Sequence, residues 1–88
     1  MKPLLDVLII LDALEKEGSF AAASAKLFKT PSALSYTVQK LESDLNIQIL
    51  DRSGHRARFT RTGQMLLEKG REVLHTVREL EKQAVKLH

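Results

Sequence analysis

A chain of 88 residues, with 14 Lys and Arg against 11 Asp and Glu, holds one small domain that buries only roughly 60–68% of its unfolded surface. It has no cysteine, which excludes a disulfide staple, a thiolate zinc site and a thiol nucleophile, so stability has to come from helix packing, a partner subunit or both. At 43% hydrophobic and 28% charged the composition excludes a disordered chain, and the net charge of +3 is only a slight pointer to an anionic partner.

Residues 4–17 read as a first helix. Leu4, Val7, Leu8, Leu11 and Leu14 recur three and four residues apart, and Gly18 ends the run. The longest apolar stretch, Val7 to Leu11, is far short of the roughly 18 residues of a membrane span. No small-residue cleavage site follows it, so a cytoplasmic protein without a signal peptide is expected. Leu5 and Ile9 extend the apolar surface onto a second face, which in so small a chain is expected to meet another subunit.

Ser19 is placed to cap a short second helix, about Phe20 to Leu27, with Phe20, Ala23, Ser24 and Leu27 on one face. Phe28 and Lys29 make a tight connection. Thr30-Pro31 then starts a third helix, because Thr caps and Pro lacks only an N–H that the first turn does not use. Leu34, Val38, Leu41 and Leu45 form its apolar stripe. Ser32, Tyr36, Gln39 and Ser43 fall on the opposite side, flanked by Ser35 and Lys40, with no acid before Glu42. Asn46 is suited to ending this helix in the left-handed conformation.

Ile47-Gln48-Ile49-Leu50 and Ala57-Arg58-Phe59 read as two strands of a small hairpin, with the basic, Gly-containing tip Arg52-Ser53-Gly54-His55-Arg56 between them. Thr60 caps the last helix. There Leu66, Gly70, Val73, Val77, Leu80, Ala84 and Leu87 alternate four and three residues apart, a heptad seam. The first half, with Met65, Leu66 and Leu67, is expected to pack on its own core and the second half on another chain. Gly70 and Ala84 would permit close approach. The chain stops at His88 without a capping signal, as a cut piece would.

Catalytic chemistry is not in view. The four glycines are isolated, so no phosphate loop or dinucleotide fingerprint is present. Asp51, Ser53 and His55 read as an exposed polar turn and not as a triad. His55 and His75 have no Cys near them to complete a metal site. The expectation is a non-enzyme without cofactor or metal. The charge, by contrast, is patterned. Residues 18–41 carry Lys26, Lys29 and Lys40 and no acid, residues 42–51 carry Glu42, Asp44 and Asp51 and no base, and residues 52–61 carry Arg52, Arg56, Arg58 and Arg61 and no acid. Local basic stretches matter for phosphate contact more than the total.

Three short helices, a hairpin and a long helix make the order of a mainly α, winged helix-turn-helix fold followed by a linker helix. A helix fits the major groove of B-DNA, and its outer face then has to avoid acids and offer short donors and acceptors. Ser32, Ser35, Tyr36 and Gln39 meet that need, and the helix start after Thr30 favours a phosphate. Arg56 suits a narrow minor groove. Arg52, Arg58 and Arg61 are read as phosphate contacts or as ion pairs with Asp51, while Lys29 and Lys40 bracket the third helix against the DNA backbone. A winged helix used only for protein interaction or dimerisation would carry an apolar or acidic outer face on that helix. This chain carries neither before Glu42.

Gly18-Ser19-Phe20, Ala23, Leu27, Thr30-x-Ser32-Ala33-Leu34-Ser35, Lys40-Leu41-Glu42 and Leu50-x-Arg52-x-Gly54-x-x-x-Arg58-Phe59-Thr60-x-x-Gly63 together resemble the N-terminal region of LysR-type transcriptional regulators over essentially the whole chain. The resemblance implies a bacterial DNA-binding domain over residues 1–60 and a linker helix over 61–88. It implies double-stranded promoter or operator DNA as partner, with helix 31–44 in the major groove and wing 52–58 at the minor groove. Thr30, Pro31, Ser32, Ser35 and Tyr36 would face DNA, as would the wing tip with His55 and Arg56. It further implies a homodimer through the linker helix, with room for a tetramer in the intact protein, and an absent C-terminal domain that binds a small effector. Leu5, Ile9, Gly70, Val73, Val77, Leu80, Ala84 and Leu87 are the residues expected at the dimer interface. The chain departs from the family pattern at Pro31, where Gln is frequent, and at Tyr36, where Arg or Gln is frequent. It departs also at Leu50, Arg61 and Lys29, where an aromatic, an acidic and an apolar residue respectively are frequent. These departures bear on base preference and not on the fold.

Overall fold

The computed structural model describes residues 4–54 and 58–88. Among them the elements run α1 (Leu4–Glu17), α2 (Phe20–Leu27), α3 (Pro31–Leu45), β1 (Leu50–Asp51), β2 (Arg58–Phe59) and α4 (Arg61–Leu87). The two strands form one antiparallel hairpin, Leu50 opposite Phe59 and Asp51 opposite Arg58.

Local signals set the helix ends. Gly18 takes φ +87° and its N–H donates to the Leu14 carbonyl at 2.9 Å, which closes α1. The Ser19 hydroxyl accepts from the Ala22 N–H and starts α2. Phe28 is left-handed at φ +57°, and the Lys29 N–H reaches back to the Ser24 carbonyl at 2.9 Å. Thr30 Oγ1 accepts from Ala33 N–H at 3.1 Å, with Pro31 in the first turn of α3. Asn46, left-handed at φ +55°, ends that helix.

α1 is the central element and packs on α2, α3 and α4. Val7 and Leu11 on α1, Leu34, Val38 and Leu41 on α3, and Ile49 and Leu50 at the hairpin are fully buried. Leu45, placed in the apolar stripe from its spacing, is instead 42% exposed, because α3 runs past the end of the core before Asn46 stops it. β1 is also shorter than the sequence reading. Residues 47–49 lie outside β1, and the Ile49 N–H is taken by a side chain of α3 rather than by a facing strand.

Thr60 fastens the hairpin to α4. Its hydroxyl accepts from the Gly63 N–H at 3.0 Å and donates to the Gln48 carbonyl at 2.6 Å, and its own N–H donates to the Ile49 carbonyl. Gly63 is required there, since a Cβ would collide with the Ile49 carbonyl oxygen, which is backbone and has no room to give. Gly63→Ala is expected to destabilise the domain by about 1–3 kcal/mol, read as a lowered urea midpoint with an unchanged slope.

α4 spans 27 residues, about 40 Å at the usual helical rise, and sets the longest dimension of the molecule, 48 Å. Its first half buries Leu67 and Leu74. Met65, expected on the core, is 48% exposed because it points away from α1. Arg71 clamps the helix to α1, donating to Asp12 at 2.9 Å and to Glu15 at 3.4 Å, with Lys16 also on Asp12 at 3.2 Å. Burial pushes the Asp12 carboxyl up, but hydrogen bonds from Arg71 and Lys16 outweigh it and hold the group below its ordinary value. A depressed carboxylate stabilises the fold above its unfolded pKa, about 4, and that stabilisation is lost as pH falls through the folded value. Asp12→Asn is therefore expected to be less stable than the parent at pH 7, and the gap in urea midpoint should close as the pH drops below about 4.

Candidate nucleic-acid interface

α3 carries its buried residues on one side, and the opposite side is exposed. Thr30, Pro31, Ser32, Tyr36, Gln39 and Lys40 are all exposed, and Ser35 is half-buried on the same flank. Tyr36, 66% exposed, stands out from the helix. Gln39 Nε2 donates to Ser35 Oγ at 3.3 Å across one helical turn. Thr37 Oγ1 donates to the Ala33 carbonyl and so adds nothing to the outer face.

The acids of residues 42–51 are compensated locally. Glu42 lies at the edge of the apolar stripe and turns toward the hairpin, leaving its side chain only 11% exposed. Its Oε2 accepts from the backbone N–H groups of Ile49 at 2.7 Å and Leu50 at 3.1 Å, and its Oε1 accepts from Arg52 at 3.2 Å. Asp44 faces Lys40 at 3.8 Å. Asp51 accepts from the Ser53 N–H at 3.0 Å. That bond, helped by the positive charge of Arg58, keeps its carboxyl below the ordinary value. Of the two alternatives for Arg52, a phosphate contact or an ion pair with Asp51, the ion pair is thus corrected. Arg52 belongs to Glu42, because Asp51 alternates to the other side of the two-residue strand and is taken up by its own turn.

Lys29 sits exposed at the α2–α3 turn and joins no ion pair among the described residues, and Arg58 is exposed on β2. His55 and Arg56 lie outside the described residues. The exposed side of α3, the α2–α3 turn and the hairpin base thus present hydroxyls, one amide, one phenol and cations. Two features were missed from spacing alone. Glu42 is the anchor of the hairpin, and its position one residue past buried Leu41 was the available signal. Phe28, 94% exposed at a left-handed position, projects from the α2–α3 turn where a tight connection was expected.

A second surface is apolar. Leu5 and Ile9 on α1 are exposed, as are Val73, Leu80, Ala84 and Leu87 on α4, and Val77 is half-buried beside them. Gly70 does not belong to this set. It is buried against the Leu8 side chain of the same chain, since the buried residues of α4 recur at Gly63, Leu67, Gly70 and Leu74 and rotate Gly70 inward. Its missing side chain serves the contact of α4 with α1, not an approach by another subunit. Among the described residues no helix is long and apolar enough to cross a membrane. Nor do three or more His, Asp or Glu there gather as metal ligands.

Residues 5–64 match the profile of the bacterial regulatory helix-turn-helix protein, lysR family. Over 88 residues the chain is 92% identical to the uncharacterized HTH-type transcriptional regulator YeeY of Escherichia coli (strain K12), and it spans only 28% of that relative's length. The solved BenM DBD/catB site 1 DNA complex is similar at a TM-score of 0.86 and 28% identity, covering 94% of this chain and 93% of that one. The CbnR DBD–DNA complex is similar at a TM-score of 0.80 and 26% identity, covering 96% and 98%. By sequence profile and by fold alike, the chain belongs to the LysR family of bacterial regulatory helix-turn-helix proteins.

Proposed function

We propose that the chain is the DNA-reading end of a longer cytoplasmic transcriptional regulator, with residues 1–60 as the winged helix-turn-helix and 61–88 as a linker helix that pairs with a second copy. In this reading residues 31–44 of α3 lie in the major groove and wing 52–58 meets a flanking minor groove. Ser32, Ser35, Tyr36 and Gln39 reach base edges or nearby phosphates. Lys29, Lys40, Arg58 and the first turn after Thr30 and Pro31 meet the backbone. Arg52 works indirectly, by holding the wing to α3 through Glu42. His55 and Arg56 would act from the wing tip. Leu5, Ile9, Val73, Val77, Leu80, Ala84 and Leu87 form the dimer surface.

The observation that carries the reading is the exposed side of α3, which offers short donors and acceptors while both of the helix's acids are drawn back onto Arg52 and Lys40. A carboxylate left outward would repel phosphate. The two DNA complexes of the same fold support carrying their mode of binding to this chain. Fluorescence anisotropy with labelled duplexes tests it. Binding should strengthen as salt falls, and Lys29→Ala should reduce the log–log salt slope by about one. Failure to bind any duplex at low salt would refute the proposal.

A further inference from the structure

We infer that Ser35 is a positioning residue for Gln39, and that the pair reads an adenine in each half-site. This rests on the reading of α3 as the major-groove helix. A carboxamide has two N–H groups and one carbonyl oxygen. With one N–H donated to Ser35 Oγ at 3.3 Å, the outward edge keeps one N–H and Oε1. That edge matches adenine, whose N7 accepts and whose N6 amino group donates. Guanine offers two acceptors there, O6 and N7, so Oε1 would face O6 and be repelled. The reverse amide orientation would turn both N–H groups outward and match guanine instead. The direction of the Ser35–Gln39 bond therefore decides which purine is read.

The neighbouring charged groups leave this bond without competitors. Ser35 is half-buried and carried by the rigid middle of α3, one turn from Gln39. On the next turn Glu42 would compete for the Gln39 N–H groups, but its two oxygens are occupied by Ile49, Leu50 and Arg52. Lys40 is turned to Asp44. A free glutamine loses much rotamer freedom on contact with a base, and the tether to Ser35 removes part of that loss beforehand. Once Ser35 accepts from Gln39, its own O–H remains free to donate to a phosphate or to a neighbouring base.

Selection from randomised duplexes by the 88-residue chain, followed by sequencing, tests this with Ser35→Ala, Ser35→Thr and Gln39→Ala. The parent should enrich adenine at one position of each half-site, by about tenfold over guanine. Gln39→Ala should abolish that preference, Ser35→Ala should reduce it at the same position, and Ser35→Thr should restore it. Measured on matched A and G duplexes, the Ser35 and Gln39 effects should be non-additive. If Ser35→Ala weakens every duplex equally and leaves the adenine preference intact, Ser35 is a phosphate contact and the inference fails while the DNA reading stands. A parent that enriches guanine at that position overturns the inference in the same way. A parent that binds no duplex overturns both.

Discussion

Glu42→Ala is expected to destabilise the domain by about 3 kcal/mol or more. The carboxylate accepts two backbone N–H groups, from Ile49 and Leu50, and the Arg52 guanidinium. Both residues are buried, so removal leaves donors out of reach of water. Each hydrogen bond to a charged group contributes about 1.5–3 kcal/mol, and an unsatisfied buried donor costs about 1–3 kcal/mol. Glu42→Gln should lose less, because the amide oxygen still accepts from the strand while the charge on Arg52 goes unpaired. Urea unfolding reads both, with Glu81→Ala, on the exposed end of α4, as a control within about 0.5 kcal/mol of the parent. A Glu42→Ala midpoint close to the parent's would show that the hairpin holds to α3 without this anchor. The functional consequence follows from position. β1 starts at the residues Glu42 holds, so that carboxylate helps to fix the base of the hairpin against α3.

If the proposed homodimer forms through α4, Leu80→Glu is expected to convert it into monomers without loss of domain stability. Leu80 is 60% exposed and lies outside the core cluster, so its replacement leaves the core packing in place. In an interface each leucine contributes roughly 1.5–3 kcal/mol, and a two-fold dimer loses two. A loss of roughly 4 kcal/mol raises the dissociation constant about a thousandfold. Sedimentation reads the change in mass, and unfolding of the variant at matched concentration separates it from misfolding. DNA affinity should fall as well, because two linked reading heads gain from effective concentration and one does not. A parent that is monomeric at high concentration, or a variant that stays dimeric, would remove α4 as the dimer surface. Gly70→Ala acts elsewhere. Its Cβ meets Leu8 of the same chain, so its effect belongs to the seating of α4 on α1.

Much of this arrangement was legible without coordinates, and the reason is local. Gly18, Ser19, Thr30-Pro31, Asn46 and Thr60 act through their own backbone and the three or four residues beside them, so chain order alone places them. The apolar spacing in α1 and α3 marks Val7, Leu11, Leu34, Val38 and Leu41 as inward because a helix repeats every 3.6 residues. The exposed hydroxyls and amide of α3 follow as the opposite side of the same count. The heptad reading of α4 failed at one place for an equally physical reason. Two apolar stripes lie next to each other on that helix, one for α1 and one left exposed, and a glycine between them fits either by spacing. Only the position of Leu8 assigns Gly70 to the first.

Long-range partners lay beyond the reach of pattern. Composition and spacing placed an acidic segment between two basic stretches; they could not say that Glu42 would take Arg52 and the hairpin backbone, that Asp44 would take Lys40, or that Arg71 would reach Asp12 across 59 positions of sequence. Charge pairing depends on which surfaces the packed helices bring within a few ångströms, and that is settled by how the core residues fit together. From the order of its residues, then, came the elements, their caps and the outward face of α3. From packing came the anchoring of the hairpin, the cations left available to a phosphate, and the orientation of Gln39 against Ser35.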